Sequence, residues 1–334
     1  MPEFRPGVEL ARRFYREAVR PLLDGRPHLA ARIGPGSDVL GFDTERSTDH
    51  DWGPRVELFL DDPGDLDERL RDRLPKRFLG WPTNFVPPGA RVRSMADTDG
   101  PVNHYVTITG LGTWLRDRIG ADPGWLAVPW QRLAELTGGA VFHDPEGELG
   151  AVRRRWSWYP DDLWRYVLGC QWARIGQEEA FVGRTAEIGD DPGSRMVAAR
   201  LVRDLARLFL LQQRRWPPYQ KWLSVAIRSD PVAADLAGAL SADEAGRRSA
   251  ALCAAYEEAA RRQNALRLCP PLQTRRRPFF DRGYPVIGAG RFAEALLDGR
   301  APVGSIDQIC DSTDVLERPE VCAAVSDAAH RTVP

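Results

Sequence analysis

No stretch of this 334-residue chain is apolar for the roughly 20 residues that a bilayer-spanning helix needs. The opening residues, MPEFRPGVELARRF, carry too many charges to resemble a secretory signal, so a cytoplasmic location without a membrane partner is expected. Cysteine is sparse. Cys170, Cys253, Cys269, Cys310 and Cys322 form no CxxC pair and are odd in number, which argues against a zinc knuckle and against a disulfide framework. Net charge is also nearly absent, at -1, so the chain has no global attraction for nucleic acid or an anionic surface, and any phosphate-binding patch has to be local. Lysine is almost missing: Lys76 and Lys221 stand against arginine at every other basic position. A lysine kept against that bias is a better functional candidate than usual, because a compact ammonium serves phosphate or proton chemistry differently from a guanidinium fork. Internal repeats and low-complexity tracts are lacking too.

What is present fits two globular domains, since 334 residues exceed the usual single-domain range. Residues 7–23 place apolar side chains at helical spacing up to Pro21. The segment 28–33 reads as a short strand running into Gly34-Pro35-Gly36-Ser37, a turn that no element interior would tolerate. Residues 55–60 alternate as a second strand, 65–73 read as a helix, and Tyr105 to Thr109 form a third, β-branched strand broken by Gly110. Helical pieces near 112–118 and 129–137 and a short strand at 139–142 complete the first half. Beyond about residue 160 the pattern becomes helical, at 161–182, 193–214, 219–227, 232–238 and 242–265. The expectation is an α+β fold, with a small mixed sheet and flanking helices in residues 1–150 and an all-helical domain in residues 151–334.

The chemistry lies in Gly36-Ser37-Asp38-Val39-Leu40-Gly41 and Ser47-Thr48-Asp49-His50-Asp51-Trp52. Two carboxylates one residue apart on a strand end point to the same side, which suits a hard divalent cation held by oxygen. The small-residue turn upstream can bring backbone N–H groups and the Ser37 hydroxyl onto phosphate oxygens. Together they describe a site for Mg²⁺ (or Mn²⁺) and a nucleoside triphosphate, with Asp49 and Asp51 on the metal and Gly36 and Ser37 on the phosphates. On the same alternation His50 points to the opposite face.

Gly-Ser, a glycine four residues after the serine, and Asp-x-Asp after an eleven-residue gap resemble the nucleotidyltransferase superfamily of DNA polymerase β type. Gly36, Ser37, Asp49 and Asp51 match its signature residue by residue, while Pro35 and His50 depart from its apolar positions. The strings Asp49-His-Asp-Trp-Gly-Pro-Arg-Val56, Ile175-Gly-Gln-Glu-Glu-Ala-Phe-Val-Gly-Arg184 and Arg277-Pro-Phe-Phe-Asp-Arg282 resemble a bacterial two-domain subfamily of it. The resemblance implies a nucleotidyltransferase fold in the first domain. It also implies transfer of an NMP group, AMP by preference, from ATP or another NTP to a small-molecule or protein hydroxyl, with release of pyrophosphate.

A third carboxylate is usual on the next core strand of that superfamily, and Thr107 stands there. Glu57 is set aside as a substitute, because six residues of strand would hold it about 20 Å from Asp51. In some antibiotic nucleotidyltransferases the base comes from the helical domain, and Glu178, with Glu179 beside it, is the candidate here. Arg184 and Lys221, the latter in the aromatic turn Trp216 to Trp222, are candidates for the triphosphate or base. Arg200 and Asp204 are expected to brace one helix face as an i,i+4 pair. His104 and His143 read as packed or surface histidines, and Arg153 to Arg155 and Arg275 to Arg277 as solvated or junction faces, so a nucleic-acid partner is not expected. The alternative is a nucleotide-binding or regulatory protein of the same fold that has lost turnover with the third acid.

Overall fold

The computed structural model describes residues 2–90 and 92–331 and separates into two compact units. The first comprises residues up to 122 together with 132–157, and the second 123–131 together with 158 onward.

The first unit is built on a four-stranded mixed sheet. Its strands are β1 (Leu29–Arg32), β2 (Arg55–Phe59), β3 (Tyr105–Thr109) and β4 (Ala140–His143), in the order β3-β2-β1-β4. β1 runs antiparallel to both β2 and β4, and β2 runs parallel to β3. Every residue of β1 and β2 is buried, as expected of strands covered on both faces. On one face Ala30, Val56, Leu58 and Val106 pack with Leu10 and Phe14 of α1 (Gly7–Phe14) and Leu66 and Leu70 of α2 (Leu66–Arg73). On the other, Phe59 meets the edge of Trp114 in α3 (Leu111–Ile119) at 5.7 Å. α1 does not continue regularly to residue 23. It loosens into a π-turn at Tyr15–Val19 and tightens into a 3₁₀ turn at Arg20–Leu22, because Pro21 supplies no N–H for the ladder.

The second unit is mostly helical. After α4 (Trp130–Thr137), all but its first two residues in the first unit, and α5 (Glu148–Arg155), wholly in it, the second unit continues with α6 (Asp161–Glu178), α7 (Phe181–Glu187) and α8 (Asp191–Gln212). These are followed by α9 (Gln220–Ile227), α10 (Ala233–Ser241) and α11 (Ala245–Ala265). The Asp190 carboxylate caps α8 by accepting the Gly193 N–H at 2.9 Å. α6 stacks Trp172 on Phe292 of α12 (Gly290–Leu297), ring centroids 4.5 Å apart. One element departs from the expected all-helical character: β5 (Arg277–Phe279) and β6 (Arg282–Val286) form an antiparallel hairpin. Aromatic side chains at Phe279 and Tyr284 stack across it at 5.7 Å, a pairing hidden in the sequence by the surrounding arginines and prolines.

α6 also ends earlier than its periodicity suggests, and Glu179 just beyond it accepts the N–H groups of Ile287, Gly288 and Ala289 at 2.8, 3.0 and 2.8 Å. The expected Arg200–Asp204 brace is not formed. Arg200 pairs with Glu178 at 3.1 Å and the buried Asp204 lies 3.5 Å from Arg174, because Asp204 is on the inner side of α8 and Arg200 on its rim.

Cys170, Cys253 and Cys322 are buried, Cys269 and Cys310 partly so, and all are free thiols. Burial pushes the Cys170 thiol up to about 12 and the Cys253 thiol up to about 11, which makes both poor nucleophiles. Among the described residues no helix is long and apolar enough to cross a membrane.

A buried carboxyl in the second unit gives a pH prediction. Burial pushes Asp307 up to about 6 from the usual 3.8, against the pull of Arg207 and the Trp130 N–H at 2.8 Å. The folded form therefore holds this proton more tightly than the unfolded chain. Its stabilising contribution is fully present below about 3.8 and is lost as pH rises through about 6. Thermal unfolding of Asp307→Asn should vary less between pH 4 and pH 6 than that of the parent protein. Parallel curves for the two would contradict the assignment.

Candidate functional site

Sheet topology gathers the sequence motifs at one end of the first unit. Arg32 closes β1, while Arg55, Tyr105 and Ala140 open β2, β3 and β4; the register pairs Arg55 with Tyr105 and Arg32 with Ala140. The antiparallel β1–β2 pair brings the end of the one strand to the start of the other. The turn that follows β1 and the loop that precedes β2 are thus adjacent.

The turn is organised by a buried ion network. Arg32 donates from Nε and Nη2 to the two Asp38 oxygens at 2.7 and 2.9 Å, and from Nη1 to Glu57 Oε1 at 3.2 Å. It also binds the carbonyls of Ile33 and Pro35, each at 2.9 Å. Glu57 Oε2 accepts the Ile33 N–H at 3.1 Å. Burial alone would lower the Arg32 pKa, but Asp38 and Glu57 more than offset this and hold it above the usual arginine range. Gly36 lies against this network with φ +153°: a Cβ there would fall 2.2 Å from Asp38 Oδ1 and 2.3 Å from Arg32 Nη2. Glycine at 36 is therefore required by packing. Ser37 is partly exposed, and its carbonyl accepts the Phe42 N–H at 2.8 Å.

The two aspartates are not on a strand. Asp49 ends a 3₁₀ turn, Glu45–Asp49, and Asp51 adopts a left-handed conformation, φ +47°, followed by Gly53 at φ +133°; only from Arg55 does the chain extend into β2. This corrects three expectations drawn from strand geometry, the first being the same-side placement of the Asp49 and Asp51 carboxylates, which strand alternation does not supply here. His50 does not point away from Asp49, since its Nδ1 lies 2.9 Å from Asp49 Oδ1. Nor does a straight strand separate Glu57 from Asp51. Glu57 sits directly across from Thr107 in the β2–β3 register, with Arg32 on one oxygen and the Ile33 N–H on the other.

Asp51 is held firmly. Its Oδ1 accepts the Tyr105 hydroxyl and the Arg93 N–H, both at 3.1 Å, and its own N–H donates to the Arg93 carbonyl at 2.7 Å. Arg55 and Arg93 both stack on the Tyr105 ring, at 4.1 and 4.7 Å from its centroid. Burial, reinforced by Asp51 and opposed by the two arginines, raises the Tyr105 phenol above its usual pKa, so it stays a donor toward Asp51. The Asp49 side chain is 47% exposed. Among the described residues no three His, Cys, Asp or Glu side chains converge as a metal-holding group. A Mg²⁺ ion commonly takes only one or two carboxylates from protein and completes its shell with water and substrate phosphates.

Gly36, Ser37, Asp49 and Asp51 all belong to the first unit, whereas Glu178, Arg184 and Lys221 belong to the second. Glu178 closes α6 and pairs with Arg200; Arg184 is exposed on α7 beside the Phe181 ring; Lys221 is exposed on α9 beside the Trp222 ring. Sequence reasoning passed over Arg32, Asp38, Arg55, Arg93 and Tyr105. In a chain this rich in arginine, no spacing marks which guanidinium is buried.

Residues 125–223 match a family described as a domain of unknown function (DUF4037). No curated protein matches the chain. A solved structure described as a nucleotidyltransferase-like protein from Exiguobacterium sibiricum 255-15 aligns with 77% of this chain and 75% of its own. The identity is 13% and the TM-score 0.33, a score that does not establish a shared fold.

Proposed function

We propose that the chain is a metal-dependent nucleotidyltransferase that moves an NMP group, AMP by preference, from NTP to an acceptor hydroxyl with release of pyrophosphate. The observation that carries this reading is the placement of the Gly36-Ser37 turn and the Asp49–Asp51 loop at the same end of one sheet. Asp49 and Asp51 would hold Mg²⁺ or Mn²⁺, which when bound neutralises charge developing on the phosphates. Asp51 is kept in one orientation by the Tyr105 hydroxyl and the Arg93 N–H, so little ordering is needed on binding. Gly36 and Ser37 would receive the outer phosphates through backbone N–H groups and the Ser37 hydroxyl. Glu178 is proposed as the base that takes the acceptor proton, through the carboxylate oxygen opposite the one bound to Arg200. Arg184 and Lys221 are proposed as further contacts to the triphosphate or base.

The commitment of Glu57 to Arg32 favours a second reading, in which the same site binds nucleotide without turnover. Pyrophosphate release from ATP with Mg²⁺ separates the two. Transfer predicts release that EDTA stops, that Asp49→Asn reduces by at least about a hundredfold, and that Glu178→Gln lowers in kcat. Saturable ATP binding without pyrophosphate release against broad acceptor pools would replace the first reading by the second.

A further inference from the structure

Two guanidinium groups at the site end of the sheet make no direct ion pair among the described residues, although Asp38 and Glu57 attract Arg55 from farther off. Asp38 is taken at both oxygens by Arg32, Glu57 is divided between Arg32 and the Ile33 N–H, and Asp51 Oδ1 is occupied by Tyr105 and the Arg93 N–H. Among the described residues neither Arg55 nor Arg93 forms an ion pair with a carboxylate. Arg55 is 5% exposed and donates to the Asp51 carbonyl, yet its buried Nε has no hydrogen-bond partner. Arg93 uses its Nε on the Ala90 carbonyl at 2.9 Å. Both groups are gathered by the Tyr105 ring.

Burying a cation without a direct ion pair is costly, and a second cation on the same ring adds repulsion. Stacking on one tyrosine recovers only part of that cost. Burial, together with repulsion from Arg32, pulls the Arg55 guanidinium below its usual range, and the attraction of Tyr105, Asp38 and Glu57 only partly offsets this. An anion would relieve the arrangement, and planar donor forks suit phosphate oxygens.

We infer that Arg55 and Arg93, held on the Tyr105 ring beside Asp51, form an anion subsite for the phosphate chain of a nucleoside triphosphate or of free pyrophosphate. The inference deepens the transfer reading by placing phosphate-binding cations within the first unit itself, and it rests on that reading only for the identity of the nucleotide. The subsite needs no divalent metal.

The test is calorimetric titration of the full chain with inorganic tripolyphosphate in EDTA at low salt. The parent protein should bind saturably. Arg93→Gln should weaken binding about tenfold or more, from the loss of a charge-assisted contact, and Arg93→Lys should recover part of it. Arg55→Lys serves as the second variant and should also weaken binding, since an ammonium cannot reproduce the fork. Circular dichroism checks that each variant is folded. Asp49→Asn should bind tripolyphosphate at least as well as the parent, because it removes a nearby negative charge. Displacement by ATP but not AMP would assign the subsite to the nucleotide tail; displacement by pyrophosphate alone would assign it to the free anion. No saturable binding by the parent, or parent-like affinity in folded Arg93→Gln, overturns the inference. Binding that Arg93→Gln removes, in a protein that releases no pyrophosphate from ATP, would keep the subsite and remove the transfer reading. Turnover unaffected in Arg93→Gln would do the reverse.

Discussion

Arg32→Met is expected to cost the first unit about 3–5 kcal/mol of stability, the usual consequence of removing one partner from a buried ion pair. The side chain is fully buried and makes two bonds to Asp38, one to Glu57 and two to backbone carbonyls. Methionine fills similar volume, so the loss arises mainly from the Asp38 carboxylate, one Glu57 oxygen and two carbonyls left without a donor rather than from a cavity. Urea unfolding followed by tryptophan fluorescence should show the midpoint falling, with Trp52 and Trp114 of this unit among the reporters. A variant with apolar residues at 32, 38 and 57 together should recover much of the loss, since a whole buried network can be exchanged for packing at little net cost. A loss below about 1 kcal/mol in Arg32→Met would show that the network is solvated and contributes like a surface pair.

Glu179→Ala is expected to be nearly as damaging in the second unit. It would leave three backbone N–H groups without an acceptor, two of them on the fully buried Ile287 and Ala289. Each unsatisfied buried donor costs about 1–3 kcal/mol, so a loss of about 3 kcal/mol or more is expected. Burial raises the Glu179 pKa, with the three N–H donors pulling it back, so the carboxylate is held by its partners against an unfavourable setting. Glu179→Gln, which keeps one acceptor oxygen, should lose less. The neighbouring Glu178→Ala should cost under about 1 kcal/mol, because its partner Arg200 is half exposed. Equal losses for the adjacent glutamates in thermal unfolding would refute the distinction.

That pair of glutamates shows where pattern stops being informative. Both follow the helical period of α6 in the sequence, and nothing local separates them. One faces a chain segment more than a hundred residues away, and the other the rim of α8. The same holds at the site end of the first unit. Gly36, Ser37, Asp49 and Asp51 were visible because their spacing is a local property. The roles of Arg32, Asp38, Arg55 and Glu57 were not, because burial of a charge depends on which strands are neighbours.

By itself the sequence determined the mixed α/β character of the first half and the helical character of the second, with most elements placed within a few residues. Periodicity, β-branched runs and glycine turns act over short range, so they are written along the chain. It also singled out the acid pair and the small-residue turn, on which the proposed function rests. Only the tertiary structure decided that residues 49–51 form a loop rather than a strand, that Glu57 neutralises Arg32, and that Tyr105 orients Asp51. The reason is energetic: a buried charge must find its partner wherever packing puts one, and sheet order, not sequence distance, sets which groups lie within reach.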